Sequence, residues 1–324
     1  MSPRLNRIIW SFGAFLALGW LPLVASEYHT HVLVISFYYV ILAVGWNLLA
    51  GYTGQFSLGH HAFAGIGAYT SALLSVYMHV PLLLGVAIGV VVAAAIGYLL
   101  GALCLHMRAI YLALATLAFA ESVRLLITVE YQVTRGDIGI ATRLLFDTPL
   151  PRPYYYLFLA LALAAVLGSV ELVRSRIGIY MRAIRDDEEA AAVMGIDTFR
   201  WKRFAFTLSA VFAAVGGGFQ AHYVGLLSPA MLNFNEMAMI VIMVIVGGYR
   251  TLAGPVLGAL FVQIISEALR PWGEIRMVLF ALLVIAVLRW YPTGIVGLCQ
   301  AIGKRLAPRL PALARAMTSA PLGD

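Results

Sequence analysis

Long apolar stretches recur along almost the whole chain and leave little room for a soluble fold. A transmembrane helix needs about 20 mostly apolar residues, and several stretches reach or approach that length. The long ones are residues 8–24, 32–50, 81–105, 110–127, 154–173, 204–226 and 277–290, and the shorter ones are 62–78, 237–248 and 255–269. They lack the two-residue alternation of a membrane barrel. The sequence predicts an all-α, polytopic helical membrane protein with roughly 8–10 transmembrane helices, in one transmembrane domain, residues 1–324.

The composition agrees with a membrane location and also indicates a topology. Charged residues make up 11% of the chain, whereas a soluble domain carries about 25%. The net charge of +7 is interpreted as a topology signal, not as nucleic-acid binding, because basic residues concentrate in cytoplasmic loops. If every stretch crosses and the N-terminus is inside, sixteen of the 22 Lys and Arg residues are cytoplasmic and five are outside. We predict cytoplasmic termini, an outer loop at 128–153 and a tail at 292–324.

One charged segment, residues 174–203, separates two long apolar stretches; we call it the island. It holds seven basic residues near its ends and five acidic residues, four of them consecutive. The basic residues favour the cytoplasmic side. Residues 185–193 are rich in good helix formers, and Gly195 is a suitable helix stop. We predict one short, exposed helix from Arg185 to Gly195 that offers a binding surface to a soluble partner.

Two glycine-rich segments, residues 51–67 and 247–258, also interrupt the apolar pattern. Broken helices of this kind often form substrate paths, because unwound backbone offers polar groups at membrane depth. Polar side chains near lipid are costly and usually face a cavity. The alternative is a tight connector whose small residues allow close helix packing. The candidate substrate-path residues are Asn47, Gln55, Ser57, Gly59, His60, Gly247 and Gly248.

The remaining polar residues give little sign of catalysis. The adjacent histidines at 60–61 point apart on a helix and have no third ligand at a suitable spacing, so we predict no metal site. Glu121 with Arg124 and Glu267 with Arg270 are spaced for structural ion pairs rather than for a proton relay. The sequence lacks the ATP-binding motif G-x-x-x-x-G-K-[ST] and the hydrolase motifs H-E-x-x-H and G-x-S-x-G. These absences argue against an ATP-binding or hydrolase site in this chain, and we predict no catalytic residue.

Short motifs follow one another in a distinctive order between residues 30 and 300. They are Asn47–Tyr69, Ser175–Gly178, Ala183–Asp186, Ala191–Ile196, Lys202–Ala210, Ser228–Pro229, Gly247–Gly248, Thr251, Gly254–Pro255, Gly258–Ala259 and Pro292–Gly297. This order resembles the LivM-type permeases, the membrane subunits of ABC importers for branched-chain amino acids. The resemblance implies a multi-pass pore subunit in the bacterial inner membrane, within the lipid bilayer. It implies as partners a homologous LivH-like permease, two cytoplasmic ABC ATPases that bind ATP and Mg²⁺, and a periplasmic binding protein, with no cofactor in this chain.

The resemblance also assigns the island to the ATPase-contacting loop of these permeases. The implied ATPase-coupling residues are Arg182, Arg185, Asp186, Glu188, Glu189, Ala190 and Gly195. Two positions depart from the family pattern: Arg135 follows Thr134 where relatives have Thr-Gly-Gly, and Arg250 replaces the last glycine of Gly-Gly-x-Gly-Thr. These departures bear on substrate identity or gating.

Several functions remain open at this point. Permeases for urea and short-chain amides share the general pattern, so a branched-chain amino acid follows from the family majority. An ion-coupled secondary transporter would need carboxylates at mid-membrane depth, and only Glu121 and Glu267 are candidates. A membrane enzyme would need a nucleophile and a base, and a structural scaffold would be isolated without ATPase partners.

Overall fold

The structure, a computed structural model, describes residues 19, 21–22, 25–104, 107, 109–146, 148, 150–273, 275–290 and 294–297. The predicted first span, residues 8–24, lies mostly outside the described residues. The same holds for the predicted tail at 292–324. Both predictions stay untested by the fold.

Helices dominate the described chain. They are α1 Glu27–Thr53, α2 His60–Tyr77, α3 Leu82–Cys104, α4 Ala109–Val129, α5 Tyr131–Thr134, α6 Pro151–Arg174, α7 Arg176–Asp186, α8 Glu188–Val193, α9 Thr198–Val224, α10 Phe234–Gly248, α11 Gly254–Ala268 and α12 Ile275–Trp290. Two short strands, β1 Ile140–Ala141 and β2 Leu226–Leu227, pair antiparallel. Short 3₁₀ turns lie at Gly136–Ile138, Pro229–Leu232 and Arg270–Trp272.

The helices confirm a polytopic helical membrane protein. Among the described residues, five helices are long and apolar enough to cross a membrane, namely α1, α3, α4, α6 and α9. Helices α10, α11 and α12 are apolar but shorter. Each apolar stretch predicted from residue 32 onward coincides with one helix. This agreement follows because a helix that satisfies its own backbone hydrogen bonds is the simplest way to place an apolar chain in lipid.

Helix α1 forms the centre of the bundle. Its most apolar 18-residue window is 89% buried, whereas the corresponding windows of α3 and α4 are 28% and 17% buried. Helix α1 packs against α6, α9 and α11, and Trp46 is fully enclosed. The apolar side chains on the outer faces of α3 and α4, such as Leu99 and Leu126, are exposed. An exposed apolar face of this kind suits contact with lipid or with another membrane subunit.

Small residues bring α2 and α9 into close contact. A Cβ atom added to Gly217 would overlap the carbonyl group of Ala64, and one added to Gly67 would lie 2.5 Å from the carbonyl oxygen of Ala214. Because no side chain separates the two backbones at these points, the helices approach closely, as small residues permit in membrane bundles.

The connections separate into two ends of the bundle. One end, which we call the loop end, carries residues 130–146 and the β1–β2 pair, and there Tyr77 donates a hydrogen bond to the Val133 carbonyl (2.9 Å). The other, the island end, carries residues 174–203. Arg185 of the island donates to the Gly51 carbonyl near the last turn of α1 (3.1 Å). Helix α1 therefore ends at the island end, where α6 also ends and α9 begins.

The island departs from the predicted single helix. It contains α7 and α8, with a break at Asp187, whose backbone is extended (φ −157°) and whose side chain caps α8 by accepting from the Ala190 amide. An aspartate in this role favours a new helix start over a continuous helix. The predicted stop is confirmed, because α8 ends at Val193 and Gly195 follows with a φ of 83°. The prediction of one helix from Arg185 to Gly195 was wrong.

Candidate translocation and coupling site

The connector between α1 and α2, residues 54–59, folds back into the bundle. Gly54 ends α1 in the left-handed region (φ 74°). Trp46 donates its indole hydrogen bond to the Ser57 carbonyl (2.8 Å), although it lies two turns before the end of α1. The Leu58 amide donates to Thr116 Oγ1 of α4 (2.9 Å). Helix α2 therefore begins inside the protein, as a broken helix does.

The polar side chains of this connector and of the helix ends beside it are buried, and most of them are hydrogen-bonded, although His60 Nε2 has no partner among the described residues. Ser57 and His60 are each 1% exposed. Ser57 Oγ accepts from the Gly59 amide (3.2 Å), Thr53 donates to Gln55 Oε1 (3.3 Å), and Ser209 Oγ lies 2.9 Å from His60 Nδ1. These contacts hold the connector in a packed arrangement. A substrate-path role for Gln55, Ser57, Gly59 and His60 stays a prediction.

Asn47, one turn before the first glycine-rich segment, joins α1 to the second segment. Its amide Nδ2 donates to the Thr251 carbonyl (2.9 Å), and its Oδ1 accepts from the Arg250 amide (3.4 Å). Tyr249 adds a hydrogen bond to the Ala50 carbonyl (2.8 Å). The loop between α10 and α11 is thereby fixed to the last turns of α1, about one turn from the point that Arg185 contacts.

Gly247 and Gly248 form a close contact between α10 and α11. A Cβ atom on Gly247 would overlap the Gly254 carbonyl oxygen and would lie 2.9 Å from Gly258 Cα. Gly248 has a φ of 129° and its carbonyl accepts from Thr251 Oγ1 (2.7 Å). The geometry supports close packing for both glycines. None of the seven predicted substrate-path residues lines either of the two larger cavities described below.

The island has an inner face that contacts the bundle. Arg185 is held by the Gly51 carbonyl and by Asp186, with an Nη2–Oδ1 distance of 2.7 Å. Arg182 donates to the Val173 carbonyl of α6 (3.2 Å). A movement of the island would therefore be passed directly to α1 and α6.

The outer face of the island carries the other predicted coupling residues. Glu188, Glu189 and Ala190 are exposed, and Glu188 forms an ion pair with Lys202 of α9. Val193 and Met194, which the sequence analysis did not single out, are 87% and 82% exposed. They precede Gly195 at the end of α8, and two large apolar side chains at the tip of a charged segment suit a protein contact. Their sequence signal was present, since they lie in an apolar run, residues 190–196, between the acidic residues 186–189 and Asp197.

A cavity of about 570 Å³ opens at the island end. It lies between α1, α6, α7 and the loop that follows α10. Its lining consists of Tyr52, Val173, Arg174, Arg182, Arg185, Arg250, Thr251 and Leu252. Arg250 also lies over the ring of Tyr249, with 5.1 Å from the guanidinium carbon to the ring centre. We call this the arginine cavity.

A second cavity, of about 780 Å³, opens at the loop end between α1, α10, α11 and α12. We call it the outer cavity. Its charged lining residues are Glu236, Glu267 and Arg270, and its apolar wall includes Ile35 and Phe280. Glu236 accepts a hydrogen bond from Tyr39 (2.7 Å) and forms no ion pair with a described basic residue. Sequence analysis missed this cavity, because four separate helices contribute to it.

Both predicted ion pairs are present. Arg124 Nε lies 3.0 Å from Glu121 Oε2, and Arg270 Nη1 lies 3.0 Å from Glu267 Oε1. The Glu267 carboxylate raises the pKa of the Arg270 guanidinium above its usual value. In the part of the chain that the structure describes, no three His, Cys, Asp or Glu side chains come together as a metal site would require.

Comparison with known proteins places these features in a family. The family described as branched-chain amino acid transport system / permease component matches residues 28–288. The chain belongs to this permease family. The high-affinity branched-chain amino acid transport system permease protein LivM of Escherichia coli (strain K12) is 31% identical to this permease over 308 residues, covering 86% of this chain and 72% of the relative.

More distant relatives match the permease over a similar range. LivH of Escherichia coli (strain K12), named as a permease protein of the same transport system, is 23% identical over 285 residues, covering 80% of this chain and 91% of the relative. A probable LivM of Methanocaldococcus jannaschii is 23% identical over 266 residues, covering 74% and 77%. No solved structure matches the chain. The relatives are transport permease subunits rather than enzymes.

The backbone favours glycine at Arg135 and Arg250, the two positions at which the resemblance implies glycine. In this permease Arg135 has a φ of 57° and Arg250 has a φ of 70°. These values lie in the left-handed region, where a residue with a Cβ atom is less stable than glycine by about 1 kcal/mol. Glycine is therefore the least strained residue at both positions, and each arginine is accommodated with strain.

Proposed function

We propose that this permease is a membrane subunit of an ATP-driven importer for branched-chain amino acids in the bacterial inner membrane. It would pair with a homologous LivH-like permease and operate with two cytoplasmic ATPases and a periplasmic binding protein. The match of the permease family to residues 28–288 carries this proposal. The similarity to LivM and LivH, both named for branched-chain amino acid transport, supports the substrate class.

The proposed coupling begins at the island. An ATPase would bind the tip formed by Val193 and Met194 and the exposed acidic face of α8. When the ATPases close on ATP, the island would move, and Arg185 would transmit the displacement to α1 through the Gly51 carbonyl. The Asn47–Thr251 hydrogen bond would extend it to the α10–α11 loop. Two packings of these helices, biased by ATP, are sufficient for alternating access.

The proposed path for the substrate begins at the outer cavity. Glu236 lies at its edge without a basic partner among the described residues, so its carboxylate suits the ammonium group of an amino acid. The apolar wall suits a branched side chain. The packed connector at residues 54–59 lines neither of the two cavities, and we propose that an opening there lets the substrate continue past Ser57 and His60.

Energy dependence tests the proposed function. We expect the permease, reconstituted in proteoliposomes with its partner permease, ATPases and binding protein, to take up radiolabelled leucine only when ATP is enclosed with the ATPases. A protonophore should not change the rate. Uptake that survives without ATP and is lost with the protonophore would contradict the proposal and favour a secondary transporter. If urea or acetamide inhibits the uptake and isoleucine does not, the substrate class is urea and short-chain amides instead of branched-chain amino acids.

The outer cavity gives a prediction for one side chain. We expect Glu236→Gln to raise the apparent KM for leucine uptake about tenfold, because a charge-assisted hydrogen bond to the ammonium group contributes about 1.5–3 kcal/mol. Uptake is measured in the same proteoliposomes. Glu121→Gln is the matched control, since Glu121 is an exposed carboxylate outside the cavity. Equal KM values for both variants would exclude an ammonium-binding role for Glu236.

A further inference from the structure

The arginine cavity brings four guanidinium groups to one opening, from Arg174, Arg182, Arg185 and Arg250. Among the described residues, no carboxylate lines it. Asp186 pairs with Arg185 from outside the lining, and the other three arginines form no ion pair with a described acidic residue. Arginine does not lose its proton in proteins, so four positive charges meet at this opening with one carboxylate, that of Asp186, beside them.

The position and lining of the cavity indicate which anion fits. It lies beside the last turn of α1 and the end of α6, where long apolar helices leave the membrane. Tyr52, Val173 and Leu252 give it an apolar margin next to the arginines. Arginine forks match the oxygens of a phosphate group with paired hydrogen bonds. Basic pockets between membrane helices on the cytoplasmic side are suited to anionic lipid headgroups.

Arg250 provides an independent observation. Its backbone lies in the left-handed region (φ 70°), where glycine would be relaxed. Its side chain nevertheless reaches the cavity from the α10–α11 loop, which Asn47 fixes to α1. Anion binding would account for an arginine at this strained position, because its guanidinium group joins those of the three other arginines. The cavity, of about 570 Å³, has room for a headgroup, since one water molecule occupies about 30 Å³ of liquid.

We propose that the arginine cavity is a binding site for a phosphate group, supplied by an anionic phospholipid. The site is distinct from the proposed substrate path and does not depend on the transported substrate. A lipid bound there would connect α6, the island and the α10–α11 loop, and the coupling route also uses the last two of these elements.

Binding of short-chain lipids to the purified permease complex tests the site. We expect dihexanoyl-phosphatidylglycerol, but not dihexanoyl-phosphatidylcholine, to raise the melting temperature of the complex in a saturable manner. Arg250→Gly and Arg174→Gln should each weaken the apparent affinity about fivefold, as expected for one arginine near a lipid surface. Arg135→Gly is the matched control, because it also restores glycine at a strained position but lies at the loop end, outside the cavity.

The outcomes separate the sources of the phosphate group. A different result would be a saturable rise of the melting temperature with inorganic phosphate at the same concentrations, with the same loss of apparent affinity in the Arg250→Gly variant. That result would retain a phosphate-binding site but show that its ligand is a free anion and not a lipid. Equal affinity of phosphatidylglycerol for the wild type and both cavity variants would overturn the proposal. A cavity variant that loses ATPase binding without any change in lipid or phosphate affinity would also overturn the proposal. In that case the arginines would bind a carboxylate of the ATPase.

Discussion

Val193→Asp combined with Met194→Asp is expected to abolish association of the permease with its ATPases and, with it, substrate-stimulated ATP hydrolysis. Both side chains are more than 80% exposed at the end of α8, and an apolar surface at such a tip is stabilised when a partner covers it. Burial contributes about 1.5–3 kcal/mol for each side chain. The double variant therefore loses about 3 kcal/mol or more, which corresponds to an affinity at least about 100-fold lower.

Co-purification from detergent and ATPase activity in proteoliposomes measure this effect. Arg176→Glu is the matched control, because it changes the net charge by the same amount on an exposed residue of the same island. It should retain the ATPases. Retention of the ATPases by the double aspartate variant would show that the tip of α8 is not the contact. Loss in both variants would assign the effect to charge.

Gly247→Val is expected to prevent the permease from accumulating as a folded protein. The added side chain would overlap the Gly254 carbonyl and crowd Gly258 Cα, so α10 and α11 would have to separate along their contact. Overpacking of this kind costs about 1–3 kcal/mol even when side chains can move, and here the obstacles are backbone atoms. We expect the folded yield to fall at least severalfold.

Size-exclusion chromatography of a fluorescent fusion in detergent measures the folded yield. Gly168→Val is the matched control, since Gly168 also lies within a helix but a Cβ atom there has no neighbour within 4 Å. The control should elute as the wild type does. A normal monodisperse peak for Gly247→Val, combined with lost uptake, would favour the substrate-path role over the packing role of this glycine.

Sequence alone predicts most of the helix positions because apolarity is a local property. The stretch at 110–127 corresponds to α4, Ala109–Val129, within two residues at each end. The stretch at 204–226 begins six residues too late, because the first turns of α9 contain Arg200, Lys202 and Arg203 and project beyond the apolar layer. The capping side chain of Asp197, which accepts from the Arg200 amide (2.9 Å), is the signal that marks the true start.

The candidate site is less accessible to sequence reasoning, because it depends on contacts between distant residues. The polar connector at 54–59 was predicted as an interruption, and the structure shows it folded back against Trp46. The hydrogen bond from Asn47 to Thr251 joins residues 204 positions apart, and no periodicity indicates it. The four arginines of the arginine cavity come from α6, α7 and the α10–α11 loop. Only the assembled bundle shows that they converge.

The proposed coupling role requires the island to face the cytoplasm, because ATPases reach it only from that side. A single cysteine at Val193, in a chain with Cys104→Ser and Cys299→Ser, reports that orientation through a membrane-impermeant maleimide. A cysteine at Ile138, exposed at the loop end, is the opposite marker. We predict that Val193→Cys is labelled in inside-out vesicles and protected in intact spheroplasts, with the reverse for Ile138→Cys. Labelling of Val193→Cys in intact spheroplasts would contradict the coupling role of the island.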